Sequence, residues 1–167
     1  YTSSCNASNG TMIFDFQSPN GNPVDWQGGG TSINYQKTYT EAGIYTVSCY
    51  DPLTNCIVGK EQVTVPVVVE TEYSTICDPL SGNQITYFFQ DRSSYLLGYG
   101  TATYLWDFGD ATPTSNLQNP SHVYASNGTY NVNFSVTYGA YSCNKTTTIT
   151  VTDFNVSYSY SGLECEN

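Results

Sequence analysis

Apolar and polar residues alternate along several short stretches of the chain. From Tyr130 to Val136, every second residue is aromatic or aliphatic, and the residues between them are Asn or Ser. This is the pattern of a strand with one face in a core and the other in water. Other runs rich in Val, Ile, Thr, Tyr and Phe are separated by Gly, Pro, Asn and Asp, which favour turns. No sustained apolar pattern at helical spacing accompanies them, so the sequence predicts an all-β sandwich fold.

One pattern occurs twice along the chain. Residues 43–47 (GIYTV) match residues 128–132 (GTYNV), and each match precedes a cysteine-bearing turn and a closing strand. We therefore expect two tandem sandwiches, over residues 1–65 and 70–152. Residues 66–69 (PVVV) would form a short, stiff junction, because they lack the Gly and Ser of a flexible linker.

The C-terminal residues 153–167 carry a third strand pattern. Cys165 follows the second closing strand much as Cys77 follows the first, so the tail resembles the start of a further repeat whose body is missing. A strand without its own sheet can complete the edge of a neighbouring subunit; truncation of a longer array is the alternative. The predicted subunit-contact residues are Val156, Tyr158 and Tyr160.

The charge of the chain limits its partners. Fourteen acidic and four basic residues give a formal net charge of −10. A nucleic-acid partner is not expected, because phosphate binding requires clustered Lys and Arg. Membrane insertion is not expected either, because no apolar run approaches the length of a membrane span.

The side chains available for catalysis are also few. His122 is the single histidine, and no nucleophile and base stand in a recognisable arrangement. No C-x-x-C pair marks a zinc site. We therefore expect that the protein is not an enzyme and that His122 makes a structural hydrogen bond to the acidic turn at 107–110.

Three motifs in the second copy resemble one known family. Residues 104–110 (YLWDFGD), 119–124 (NPSHVY) and 128–132 (GTYNV) closely resemble the PKD domain, an immunoglobulin-like sandwich. Ala111 stands where the family usually has Gly. The first copy keeps Trp26 and residues 43–47 but lacks the acidic turn, so it resembles a degenerate PKD or immunoglobulin-like domain.

The resemblance implies a non-catalytic extracellular or cell-surface module. Tandem sandwiches bracketed by cysteines look like the repetitive surface and secreted proteins of Bacteroidetes-type bacteria. We expect a structural or adhesive role, as a subunit or repeat of a surface filament or adhesin stalk that is assembled head to tail. Its partners would be copies of itself or neighbouring repeats. The alternative is an accessory module of a secreted hydrolase, which binds polysaccharide or protein.

Six cysteines in a chain of this composition indicate disulfide bonds. Cys5 and Cys77 each open a copy, and Cys56 and Cys143 each precede a closing strand. Internal equivalence predicts the pairs Cys5–Cys56 and Cys77–Cys143, each within one sandwich.

Two cysteines remain after this pairing. Cys49 aligns with the inward-facing Phe134, which favours a buried free thiol; the alternative is a bond between Cys49 and Cys165, within or between chains. Cys165 is also a candidate for a bond to another subunit or to downstream sequence.

Asp107 and Asp110 flank a tight turn and are candidate Ca²⁺ ligands, with Asp91 as a possible third. The alternative is a structural turn in which the carboxylates accept hydrogen bonds from the backbone. We expect no other cofactor.

Further candidate positions are aromatic residues and glycosylation sequons. Trp106 is expected in the core, and Tyr95, Tyr99 and Tyr104 in an exposed loop that could contact a partner. Six asparagines begin N-x-S/T sequons, which are possible glycosylation sites: Asn6, Asn9, Asn127, Asn133, Asn144 and Asn155.

Overall fold

The computed structural model of the chain describes residues 1–27, 30–78 and 84–152. The predicted terminal strand lies outside these ranges, and with it the predicted contact residues, Asn155 and Cys165. The described residues form β-strands joined by turns, which confirms the predicted all-β fold. None of them forms a helix that is long and apolar enough to cross a membrane.

The first sandwich consists of two antiparallel sheets. Its strands are β1 (Thr2–Asn6), β2 (Thr11–Gln17), β3 (Val24–Trp26), β4 (Gly30–Ser32), β5 (Asn34–Tyr39), β6 (Gly43–Tyr50) and β7 (Ile57–Val65). One sheet has the order β1-β2-β5, and the other has the order β4-β3-β6-β7. Strands β1 and β7 therefore lie at sheet edges.

The second sandwich repeats this arrangement. Its strands follow a short strand β8 (Val67–Val68): β9 (Thr71–Asp78), β10 (Gln84–Asp91), β11 (Ser94–Tyr95), β12 (Ala102–Asp107), β13 (Ser121–Val123), β14 (Gly128–Tyr138) and β15 (Tyr141–Val151). The sheets have the orders β13-β10-β9 and β12-β14-β15. Strand β9 thus corresponds to β1, and β15 to β7.

The aromatic cores of the two sandwiches have the same geometry. The ring centroids of Tyr39 and Tyr45 are 4.4 Å apart, and those of Tyr124 and Tyr130 are 4.3 Å apart. Tyr45 donates its hydroxyl to a carbonyl four residues earlier at 2.9 Å, and Tyr130 does the same at 2.8 Å. The two predicted copies are therefore equivalent in packing as well as in sequence.

The strand register extends this equivalence to the tryptophans. Trp26 on β3 pairs with Cys49 on the neighbouring strand β6, and Trp106 on β12 pairs with Phe134 on the neighbouring strand β14. Trp106 is only 1% exposed and Cys49 only 2%, so both lie in the core, as predicted. Cys49 has no disulfide partner among the described residues, and the alternative bond to Cys165 lies outside them. Burial raises the pKa of the Cys49 thiol, so the uncharged form is favoured.

The predicted junction is buried between the sandwiches. Val67 and Val69 are fully shielded from solvent, and β8 pairs with β11 of the second sandwich. The Val69 amide donates to the Gly10 carbonyl of the first sandwich at 2.9 Å. Because 66–69 contact both sandwiches, they contribute to one continuous core; the boundaries of the junction stay a prediction.

The prediction of an exposed tyrosine loop was wrong. Tyr95, Tyr99 and Tyr104 are half-buried, because the segment between β10 and β12 folds back onto β14 and because Tyr104 belongs to β12, which pairs with β14. Tyr95 packs edge-on against Tyr138 at 5.2 Å, and Tyr104 stacks on Phe134 at 6.2 Å.

Candidate functional site

A disulfide bond joins Cys5 of the first sandwich to Cys143 of the second, with their Cα atoms 5.4 Å apart. The predicted pairs Cys5–Cys56 and Cys77–Cys143 are therefore wrong. Strand β1 is an outer strand of its sheet, as is β15, and the two contact one another at the boundary between the sandwiches. The bond thus covalently connects the two copies.

The strand geometry explains why Cys77 cannot reach Cys143. The Thr71 hydroxyl lies 3.1 Å from the Thr147 hydroxyl, and the Glu70 carboxylate forms an ion pair with Lys145. These contacts show that β9 lies beside β15 and that the two strands run in the same direction. Cys77 lies six residues beyond Thr71, whereas Cys143 lies four residues before Thr147, which separates them by about 34 Å at 3.4 Å per residue. Disulfide-bonded Cα atoms are less than about 7 Å apart.

The predicted equivalence of the cysteines is nevertheless present in the strand register. Cys5 pairs with Met12, which pairs with Tyr39 on β5. Cys77 pairs with Ile85, and Thr86 after it pairs with Val123, the residue before Tyr124, which is the counterpart of Tyr39. Cys5 and Cys77 therefore occupy the same position in their sandwiches.

Cys56 and Cys143 are equivalent in the same way. The Asp51 amide donates to the Cys56 carbonyl at 2.9 Å, and Val136, the counterpart of Asp51, pairs with Cys143. The register of β6 against β7 shifts by one residue at a bulge between Cys49 and Tyr50. This shift brings Cys56 opposite Asp51, as Cys143 lies opposite Val136. Cys56 and Cys77 are both exposed and have no disulfide partner among the described residues.

Hydrogen bonds stabilise the contact between the two sandwiches around the disulfide, which we call the joint. The Ala42 amide of the first sandwich donates to the Ser94 hydroxyl of the second at 2.8 Å. The Ser93 hydroxyl accepts a hydrogen bond from the Glu70 amide at 3.1 Å, next to the ion pair with Lys145. Together with the buried valines, these contacts hold the two sandwiches in one orientation.

The acidic turn of the second sandwich is a hydrogen-bonded structural element. Asp107 accepts the Gly109 amide at 3.0 Å. One Asp110 oxygen accepts the Thr112 amide at 3.2 Å and its hydroxyl at 2.6 Å, and the other lies 2.7 Å from His122 Nε2. The predicted structural hydrogen bond between His122 and the turn is thus confirmed.

Burial and hydrogen bonding act in opposite directions on Asp110. Its side chain is 9% exposed and that of His122 is 12% exposed. Burial alone would raise the pKa of Asp110, but hydrogen bonds from Thr112 and His122 outweigh it and lower the pKa below its usual value. The His122 ring stacks parallel on Phe108 at 4.1 Å, which fixes the imidazole in place.

The carboxylates that could hold Ca²⁺ are engaged in other contacts. Asp91 accepts hydrogen bonds from the Ser93 amide at 2.9 Å, the Tyr95 hydroxyl at 2.7 Å and the Gln118 amide group at 2.9 Å. Within 1–27, 30–78 and 84–152, no three His, Cys, Asp or Glu side chains are grouped to hold a metal. Calcium binding at Asp107 and Asp110 stays a prediction.

The sequons lie in different environments. Asn9 is exposed in the turn between β1 and β2, where its Oδ1 accepts the Thr11 hydroxyl at 2.7 Å. Asn6 is half-buried in β1, and Asn127 is exposed before β14. Asn144 Nδ2, the atom to which a glycan would be attached, donates to Asn133 Oδ1 at 3.3 Å. Glycosylation at these positions stays a prediction.

Sequence analysis missed the role of Gly10 at the joint. Its carbonyl accepts the Val69 amide, and its φ of +73° belongs to the left-handed region that favours glycine. The signal was present, because Asn9-Gly10 is a dipeptide typical of tight hairpin turns.

A comparison with protein families identifies the second sandwich. The family model described as the PKD domain matches residues 63–152. The match covers the second sandwich together with the junction, and it includes the acidic turn, His122 and Tyr130.

Proposed function

Because the chain belongs to the PKD domain family, we propose that it is a non-catalytic extracellular structural module. It would join copies of itself or neighbouring repeats head to tail, as part of a surface filament or adhesin stalk. Domains of this family are generally non-catalytic and typically extracellular.

The observation that carries this proposal is the bond between Cys5 and Cys143. It connects two sandwiches through their edge strands, close to a junction that is buried from Pro66 to Val69. A covalent cross-link beside a packed junction resists both bending and pulling, which is what a load-bearing element requires. Disulfides also persist in oxidising compartments such as the cell exterior.

The two tryptophans and the loop tyrosines give no support to the alternative of a carbohydrate-binding accessory module. Sugar-stacking platforms need exposed rings, but Trp26 is 5% exposed and Trp106 is 1% exposed. The loop tyrosines pack against the core instead of presenting their faces to solvent.

The proposal is tested on material from the source cells and on the purified chain. An antibody against the chain, located by immunogold electron microscopy, should label surface filaments or stalks. The purified chain should form linear multimers in negative-stain images and in light scattering.

The opposing result is equally specific. A purified chain that remains monomeric, and that sediments with insoluble polysaccharide, would contradict the structural role and favour the accessory module. A polysaccharide-free sedimentation control separates binding from aggregation.

A further inference from the structure

Two exposed cysteines stand in the positions of the bonded pair. Cys77 has the place in β9 that Cys5 has in β1, and Cys56 has the place before β7 that Cys143 has at the start of β15. The bonded pair connects the opening strand of one sandwich to the closing strand of the next. The second sandwich therefore offers an opening-strand cysteine, and the first offers a closing-strand cysteine.

The two exposed cysteines lie at opposite ends of the pair of sandwiches. Strand β7 runs from the turn at Cys56 to the junction at Val65, and β9 runs away from the junction to Cys77. At 3.4 Å per residue these strands extend about 30 and 20 Å from the junction. A bond between Cys56 and Cys77 within one chain is therefore excluded by distance.

We propose that Cys77 of one chain forms a disulfide bond with Cys56 of a second copy of the chain. The bond would repeat between chains the joint that Cys5 and Cys143 form within one. This inference rests on the proposed function, because it names the covalent link between successive modules. Since the described residues carry one exposed cysteine of each kind, at opposite ends of the pair of sandwiches, the same bond can be repeated without limit in one direction.

The surfaces around the two cysteines favour such a contact. Ile76 beside Cys77 is 59% exposed, and Ile57 and Val58 beside Cys56 are 59% and 40% exposed. Both edges also present unpaired strand backbone, because β9 and β7 are outer strands of their sheets. Association of the two ends would remove these aliphatic side chains from water and cover both open edges.

The bond forms by thiol–disulfide exchange with a small-molecule disulfide. The thiolate of one cysteine attacks the oxidant, which yields a mixed disulfide and releases one small thiol. The thiolate of the other cysteine then attacks the mixed disulfide and releases the second small thiol. Two protein thiols lose two electrons and two protons, and the small-molecule disulfide is reduced to two thiols.

Peptide mapping without reductant tests the pairing directly. The full chain is incubated with oxidised and reduced glutathione, alkylated, and separated into monomer and multimer fractions. Trypsin cuts after Lys37, Lys60, Arg92 and Lys145. Cys5, Cys77, Cys143 and Cys165 then lie in separate peptides (1–37, 61–92, 93–145 and 146–167), while Cys56 shares 38–60 with Cys49.

The expected multimers contain 38–60 linked to 61–92, and the monomer does not. Fragmentation should place the bond at Cys56, because Cys49 is buried. The link between 1–37 and 93–145 should occur in both fractions and reports correct folding. Multimers held by other peptides, or a link between 38–60 and 61–92 in the monomer, would overturn the inference.

Complementary variants provide a second test. In a C165A background, C56S keeps only Cys77 exposed, and C77S keeps only Cys56 exposed. Each alone should remain monomeric without reductant, whereas their mixture should form dimers and nothing longer. Dimers of C56S alone, linked through 61–92, would instead indicate symmetric pairing and refute the proposed joint.

Failure of this inference is distinguishable from failure of the proposed function. Linear multimers that persist in reductant, and that lack the link between 38–60 and 61–92, would refute the disulfide and leave the structural role intact. A chain that is monomeric under every condition would contradict both.

Discussion

Gly10 lies so close to Val69 that a side chain does not fit between them. A Cβ atom added to Gly10 would lie 2.0 Å from the Val69 carbonyl oxygen. The Val69 amide also donates to the Gly10 carbonyl at 2.9 Å. The turn between β1 and β2 of the first sandwich therefore rests directly on the backbone that enters the second.

This contact predicts that Gly10→Ala destabilises the joint. The variant would add the cost of a left-handed alanine, about 1–2 kcal/mol, to a backbone clash that only movement of the turn can relieve. We expect a loss of at least about 2 kcal/mol in the free energy of unfolding, measured by chemical denaturation.

Gly21→Ala is the matched control for this variant. Gly21 has φ +69°, close to the +73° of Gly10, but nothing lies within 4 Å of an added Cβ. It should therefore lose only the strain of a left-handed alanine, about 1–2 kcal/mol, reduced by the about 0.4–1 kcal/mol that the stiffer unfolded chain returns, which leaves a net loss of about 0.5–1 kcal/mol. Equal losses in the two variants would mean that the approach to Val69 does not matter.

The bond between Cys5 and Cys143 predicts a specific sensitivity to reductant. It spans 138 residues, and the chain-entropy relation gives about 5 kcal/mol for a loop of that length. Reductant should lower the thermal unfolding midpoint of the wild-type chain. It should have no such effect on the double variant Cys5→Ser/Cys143→Ser.

The variant pair Cys56→Ser/Cys77→Ser controls for this effect. Both cysteines are exposed and outside the intramolecular bond, so the monomer should keep the reductant-sensitive midpoint of the wild type. Sensitivity that disappears in this pair as well as in Cys5→Ser/Cys143→Ser would instead restore the pairing within each sandwich, because each of those bonds needs one cysteine from either pair.

The pairing of the cysteines could not be predicted from the sequence, although their equivalence could. The repeat correctly identified Cys77 as the counterpart of Cys5, and Cys143 as the counterpart of Cys56. Equivalence alone permits bonding within a copy or between copies, because both arrangements pair one opening strand with one closing strand. The choice depends on the direction of β9 beside β15, a tertiary relationship that the alternation of residues does not contain.

The wrong prediction of exposure for Tyr95 and Tyr99, which precede β12, has the same cause, because exposure also depends on tertiary packing. Gly98 and Gly100 are turn signals, and the sequence therefore indicated an exposed loop. Their positive φ angles confirm the turns. The turns direct Tyr99 back onto Tyr138 and Tyr141, so correct local chemistry led to a wrong prediction of exposure. By contrast, β14 was predictable because its alternation alone determines which face is buried.

Ala111 predicts a stabilising substitution. It adopts φ +62°, a conformation that costs a non-glycine residue about 1–2 kcal/mol. Ala111→Gly removes this strain, while the greater freedom of the unfolded chain offsets about 0.4–1 kcal/mol. We expect a net gain of about 0.5–1 kcal/mol in the free energy of unfolding, measured by denaturant titration.

Ala125→Gly serves as the control for Ala111. It is exposed in another turn and is not among the residues with positive φ, so glycine should only increase the freedom of the unfolded chain. A loss of about 0.4–1 kcal/mol is expected. If both variants lost stability, the left-handed backbone of Ala111 would not be a source of strain.

Asp110 predicts a pH-dependent contribution to stability. Its pKa is lowered in the folded chain, so its contribution is complete above the ordinary aspartate pKa of about 3.9 and is lost as the pH falls through the folded value. Asp110→Asn removes the charged acceptor of Thr112 and His122. At pH 7 the loss should be about 1.5–3 kcal/mol, and it should diminish below about pH 4.

Denaturant titrations of both proteins between pH 7 and pH 2 measure this difference. Asp107→Asn is the control in the same turn, because Asp107 is exposed and accepts a single hydrogen bond from the Gly109 amide. We expect it to lose no more than about 1 kcal/mol at pH 7. A difference between wild type and Asp110→Asn that stays constant down to pH 2 would show that the Asp110 carboxylate is not stabilised by its partners, and that the turn is held by packing of Phe108 on His122 instead.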